Sequence, residues 1–133
     1  MNRIINPPSL VKPVGYSHAV EATAGRTIYL AGQVAFDQHG AMLHAGNIVG
    51  QFGTALANLQ ETMRAARGEL TDIVRLLIFV RDKRDYQQHL KEIGAVYRQY
   101  FGKHFPAMSL VEVSSLFEDD ALIEIEGIAV VND

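Results

Sequence analysis

Two glutamates two positions apart, Glu124 and Glu126, are the pair in this chain best suited to do chemistry. They sit in the run Leu-Ile-Glu-Ile-Glu-Gly-Ile-Ala-Val-Val at positions 122–131. Alternation with a period of two reads as a β-strand, so residues of like parity share a face. Ile123, Ile125, Gly127 and Ala129 form one face, and the two small residues let a helix pack closely. Leu122, Glu124, Glu126, Ile128 and Val130 form the other. Both carboxylates therefore stand among apolar neighbours, on a face that a partner is expected to cover. Desolvation disfavours the charged form of a carboxyl group. A Glu tuned in this way is a usable acid or base near neutral pH. The plainer reading of the pattern is a solvated strand carboxylate, and Glu126 reads as a structural partner for a cation at an interface.

Other chemistries are narrower. The chain has no cysteine, which excludes a thiol nucleophile, a disulfide, a thiolate zinc site and an iron–sulfur site. His39 and His44 flank a turn without a carboxylate at ligand spacing, so no metal site is expected. His18 reads as a polar surface residue near Tyr16. Thr71 and Ser109 lack a base at a recognisable spacing, and no glycine-rich phosphate loop is present. The formal charge is −3, and the 12 Lys and Arg residues are scattered, with only Arg81, Lys83 and Arg84 close together. Such a chain has no basic stripe for nucleic acid. No apolar run reaches the length of a signal peptide or a membrane span, so a soluble, cytoplasmic protein is expected.

The elements that must position these residues follow from the patterning. A chain of 133 residues with 48% hydrophobic residues is the size of one domain, 1–133, with a core of its own. The Pro-rich residues 1–14 read as extended. Residues 17–21 and 27–31 read as two strands of a hairpin turned at Ala24-Gly25, and residues 37–40 as a further turn. Phe52, Leu56, Leu59, Met63 and Ala66 make one stripe of a helix over 48–67, with Gly68 as its C-cap. Residues 73–80 are an apolar strand. Asp82 or Asp85 caps a second helix whose stripe is Tyr86, Leu90, Ile93, Tyr97 and Phe101. Residues 108–115 and 122–131 are the last strands.

The order β-β-α-β-α-β-β gives an α+β fold, a sheet with two helices on one face. With Val74, Leu76, Ile78 and Val80 towards the helices, Ile73, Leu77 and Phe79 face away, and Arg75 with them. An apolar sheet face left wet is unusual, and closed self-association covers it. Arg75 on that face reads as an interface ion pair or an anion anchor. Pattern alone leaves dimer and trimer open.

In order and spacing, several segments resemble the Rid (reactive intermediate deaminase, or YjgF) family over nearly the whole chain. They are Gly15-Tyr16-Ser17, Ala31-Gly32-Gln33, Gln51 with Leu56-Asn58-Leu59, and Asp72-Ile73-Val74. Tyr97 with Phe101, Phe105-Pro106-Ala107, Val111-Glu112-Val113 and Ile123-Glu124-Ile125-Glu126-Gly127-Ile128-Ala129 complete the set. The resemblance implies a chorismate-mutase-like α+β subunit with a mixed sheet, and a homotrimer with clefts between subunits. It also implies cofactor-free hydrolysis of reactive enamines and imines to keto acids and ammonia.

By the same resemblance, Glu124 handles the attacking water, and Tyr16 closes a substrate pocket to which Ala31, Gln33, Gly94 and Met108 contribute. Three of these positions depart from the family pattern. Met108 stands where the family's Pro-Ala-Arg-Ser segment carries the Arg that pairs with a substrate carboxylate. Ala31 replaces a Ser, and Gly94 an Asn. Methionine cannot pair with a carboxylate, so the substrate expected here is not the usual 2-imino acid. A non-catalytic trimer that binds a small metabolite is the alternative, and ribonuclease activity is the weakest reading for a chain with no basic groove.

Overall fold

A four-stranded mixed sheet carries its helices on one face and leaves the other bare. The computed structural model describes residues 2–133. The strands are β1 (Arg3–Ile5), β2 (Ala19–Glu21), β3 (Arg26–Gln33), β4 (Ile73–Val80), β5 (Ala107–Glu112) and β6 (Ile123–Val131). The helices are α1 (Ile48–Ala65), α2 (Lys83–Gln88) and α3 (Leu90–Phe101). The main sheet has the order β3-β6-β4-β5, with β4 and β5 parallel and the other two pairs antiparallel.

Local chemistry explains the helices. Asn47 caps α1 by accepting the Gly50 N–H at 3.0 Å, and Asp82 caps α2 by accepting the Arg84 N–H at 2.9 Å. Phe52, Leu56, Leu59 and Met63 bury the α1 stripe against Ile123, Ile125 and Ala129 of β6. Gln51 is fully buried within that layer, and both ends of its amide are hydrogen-bonded. Its Nε2 donates to the carbonyls of His44 and Asp120 at 3.2 and 3.1 Å, and its Oε1 accepts the Leu122 N–H at 2.8 Å. One side chain thus ties two loops to the helix. Asn58 does similar work, donating to the carbonyls of Val34 and Phe36.

Four expectations from the sequence need correction. Residues 17–21 do not form a hairpin with 27–31. β2 pairs instead with β1, Ile4 opposite Val20, while β3 pairs with β6. The second helix is two helices, broken at His89, whose backbone leaves helical geometry at φ −108° and ψ 19°. Ile73 does not face away from the helices. The β4–β6 register shifts between Ile73 and Arg75, a bulge that turns Ile73 into the core beside Leu76, Ile78 and Val80. Finally, the left-handed residue that ends α1 is Arg67 (φ 60°), not Gly68. Gly68 is needed for space, since a Cβ there would lie 2.8 Å from Val131 Cγ2 and 2.9 Å from Met63 Cε.

Candidate functional site

The residues that could do chemistry fall into two groups on opposite faces of the sheet. The first group is on the bare face. Glu124 lies opposite Phe79 of β4, and Glu126 opposite Leu77. On the other side of β6, the β3 register shifts between Leu30 and Gln33, which places a bulge at Ala31-Gly32. The Glu124 carboxylate packs over Gly32: a Cβ at that glycine would lie 2.8 Å from Glu124 Cδ and nearer still to Oε2. Glycine at 32 is therefore what lets this acid lie flat across the strand. Half-buried Leu77, Phe79 and Ile128 share this face, with Phe79 directly across from Glu124, and Tyr29 on the same face is 79% exposed. Among the described residues, the side chains of Arg75, Glu124 and Glu126 make no hydrogen bond or ion pair.

The second group surrounds a cavity of about 340 Å³ between the sheet, α2, α3 and the N-terminal segment. Met108, Phe105, Ile78 and Phe52 form its floor, and Tyr86, Leu90, Ile93 and Tyr97 its helical wall. The N-terminal segment reaches it because Ser17 docks on the outer edge of β5. The Ser17 N–H donates to the Pro106 carbonyl at 3.1 Å, its hydroxyl donates to the Phe105 carbonyl, and Ser17 bridges to Ala107. That docking places Val14 and Gly15 on the cavity rim, with Gly15 in a left-handed turn (φ 78°).

Tyr97 stacks between Phe101 and Phe105, with centroid spacings of 4.6 and 5.4 Å respectively. The Tyr97 hydroxyl donates to the His104 carbonyl at 2.7 Å, and burial pushes this phenol well above its ordinary range. His104 in turn reaches the Ile73 carbonyl at 2.7 Å. These contacts make the cavity wall rigid.

The structure therefore divides the expected site residues. Met108 and Gly94 meet at the cavity. Tyr16 follows Gly15 on the rim, but its ring packs edge-on against His18 at 5.4 Å. Glu124 and Ala31 are together on the other face. Gln33 is with neither, since it turns towards Asn58 and Thr62 of α1. Arg75 is on the bare face, away from the cavity. His18 uses its ring on the Val11 carbonyl at 2.7 Å. Among the described residues, no three His, Asp or Glu side chains converge as a metal site would require, and no helix is long and apolar enough to cross a membrane.

Three lining residues carry no site role in the sequence reading. Tyr86 and Leu90 read there as core stripe, yet Leu90 is 57% exposed and both line the cavity. Arg98 also lines it, one of the scattered cations to which the sequence assigns no role. The available signal was Gly94 one turn before Arg98, a gap on the helix into which a long side chain can fold.

Comparison with known proteins agrees with the fold. Residues 9–131 match the family model described as Endoribonuclease L-PSP. The chain is 35% identical to a RutC family protein of Pyrococcus horikoshii, over 97% of this chain and 98% of that one. It is 30% identical to the human 2-iminobutanoate/2-iminopropanoate deaminase, over 98% of this chain and 90% of that one. A Rid family protein of unknown function from Yersinia pestis superposes with a TM-score of 0.89 at 35% identity, covering 98% of both chains. The chain belongs to the Endoribonuclease L-PSP family, the YjgF/Rid/RutC group, and has its mixed α+β fold.

Proposed function

We propose that the protein hydrolyses a reactive enamine or imine, without a cofactor, at a cleft between the subunits of a homotrimer, and that its substrate is not the usual small 2-imino acid. The observation that carries this reading is the split of the site. Glu124, on a bare apolar sheet face, and the cavity, on the helical face, cannot meet within one chain. A second copy docked on the bare face brings the acid of one subunit to the cavity of the next, and cyclic association does this for every subunit. The likeness to the human deaminase supplies the reaction class.

Chemically, Glu124 takes a proton from a water as its oxygen bonds to the imine carbon, and the C=N double bond becomes a single bond. The carboxyl proton then passes to the nitrogen, giving a carbinolamine. The same carboxylate next takes the carbinolamine hydroxyl proton and delivers it to the nitrogen, so that the C–N bond breaks, ammonia leaves and the C=O bond forms. One water is consumed, and Glu124 returns to its starting state. Tyr16, beside the rim, closes the pocket over the substrate.

The test is ammonia release from freshly generated imines and enamines, from 2-aminoacrylate to imines with no carboxylate. Glu124→Gln should cost about 10²- to 10⁴-fold in kcat with assembly unchanged. Met108→Arg should raise 2-aminoacrylate hydrolysis. Turnover that survives Glu124→Gln would remove that residue's role. A wild type silent on the whole panel would favour a metabolite-binding trimer, the reading that Met108 in place of Arg also permits.

A further inference from the structure

We propose that Arg98, assisted by the Tyr86 hydroxyl, is the acid-group anchor of this cavity, and that the ligand is a carboxylate with a bulky apolar body, such as an imino or keto acid with a branched aliphatic or aromatic side chain. The proposal rests on the reading of the cavity as the substrate side of the site, and it names the substrate class.

Arg98 is the one charged residue among those lining the cavity. Its guanidinium makes no hydrogen bond or ion pair among the described residues, so its five donors are unspent. Long helical side chains lean towards the N-terminus of their helix, and Arg98 does so over Gly94. A Cβ built on Gly94 would lie 3.4 Å from Arg98 Nη1. The guanidinium thus lies back along the cavity wall, beside position 94.

Two phenols share that wall. Tyr97 already donates to the His104 carbonyl. The Tyr86 hydroxyl has no partner among the described residues, and burial holds it protonated as a donor. A planar guanidinium fork with a neighbouring O–H suits a carboxylate, which accepts two parallel N–H bonds and has lone pairs to spare. The remaining lining, Met108, Phe105, Leu90 and Ile93 among it, is apolar. A volume of about 340 Å³ is in the range of small-molecule sites of roughly 300–1,000 Å³, larger than a three- or four-carbon acid fills. The cation that β5 lacks at Met108 is supplied one layer away, from α3.

The test is isothermal titration of the full-length protein with 4-methyl-2-oxopentanoate, pyruvate and the uncharged 4-methylpentan-2-one. Wild type should bind 4-methyl-2-oxopentanoate more tightly than pyruvate. Arg98→Gln, at an exposed position that does not endanger folding, should weaken it about 10- to 100-fold, with Tyr86→Phe weaker in effect. Arg98→Gln should leave binding of the neutral ketone unchanged.

Equal affinity in wild type and Arg98→Gln, or no binding by wild type, would overturn the proposal. So would a changed sedimentation coefficient for Arg98→Gln without keto-acid binding, since a neighbouring copy would then fill the cavity. Turnover on the leucine-derived imine separates the two readings. No turnover with Arg98-dependent binding removes the deaminase reading and keeps the anchor. Turnover with an unchanged KM in Arg98→Gln does the reverse.

Discussion

The two faces of the central sheet are built from the same strands and have opposite characters. On the helical face Ile73, Leu76, Ile78, Val80, Ile123, Ile125 and Ala129 are buried, and Gln51, the one buried side-chain amide among the described residues, has both its nitrogen and its oxygen hydrogen-bonded. On the bare face Leu77, Phe79 and Ile128 are only half-buried, and Arg75, Glu124 and Glu126 have no partner among the described residues. One face is finished within the chain, and the other leaves its charged groups open to solvent or to a partner. Substitutions on the helical face should therefore report on folding, and substitutions on the bare face on assembly and chemistry.

The largest effect is expected from Phe79→Asp. A charge in the middle of the bare face should prevent assembly altogether while far-ultraviolet circular dichroism stays native, which sedimentation velocity would detect. Assembly that survives this change would mean the bare face is not the interface. Next comes Gln51→Leu, which strands the Leu122 N–H and two carbonyls in the core. A loss of about 3 kcal/mol is expected in urea unfolding, and a loss under 1 kcal/mol would show that the two tied loops are not held by this residue.

Gly94→Ala should stabilise without disturbing binding. It removes the conformational cost of glycine inside α3, a gain of about 0.5–1 kcal/mol, and the new Cβ would only touch the flexible Arg98 guanidinium, at 3.4 Å. Higher thermal stability with unchanged keto-acid binding is the expected pair of results, and weaker binding would show that position 94 must stay open.

The smallest effect concerns pH. His89 at the α2–α3 break has its pKa raised by its hydrogen bond to the Asp85 carbonyl and by the Asp85 charge, with Nδ1 3.1 Å from the carboxylate. A raised folded-state value means the protonated form is favoured on folding. Its contribution is complete below the ordinary histidine pKa of about 6.5 and is lost as pH rises through the folded value. His89→Gln should abolish that slope in a melting series from pH 5.5 to 8.5.

Much of the fold was legible because periodicity is strong where elements are long. The stripe of α1 and the alternation in β6 each predict the face that the structure buries, and in β4 the alternation does so for Leu76, Ile78 and Val80. What was missed is local. β1 and β2 are three residues each, too short for a pattern, and their pairing spans the Pro-rich segment. A bulge at residues 73–75 shifts parity without changing composition, so Ile73 was assigned to the wrong face.

The site was half legible for a similar reason. Glu124 stands out as an acid in an apolar strand, but Tyr86 and Leu90 have the same spacing whether they fill a core or line a cavity. Arg98 reads as any surface cation until Gly94 is seen beneath it. Gln33, expected in the pocket, was turned to α1 by the bulge at Ala31-Gly32, which sequence parity does not reveal.

The central claim is that Glu124 and the cavity which it serves belong to different subunits. Subunit mixing tests it most directly. Glu124→Gln damages one half, and Gly94→Phe, which fills the cavity, damages the other. Each variant alone should be inactive on the best imine found for wild type. Co-refolded in equal amounts, they should regain about a quarter of the wild-type rate, because some sites then draw an intact half from each kind of subunit. Mixtures that assemble yet stay as inactive as the separate variants would contradict the account and place the whole site within one chain.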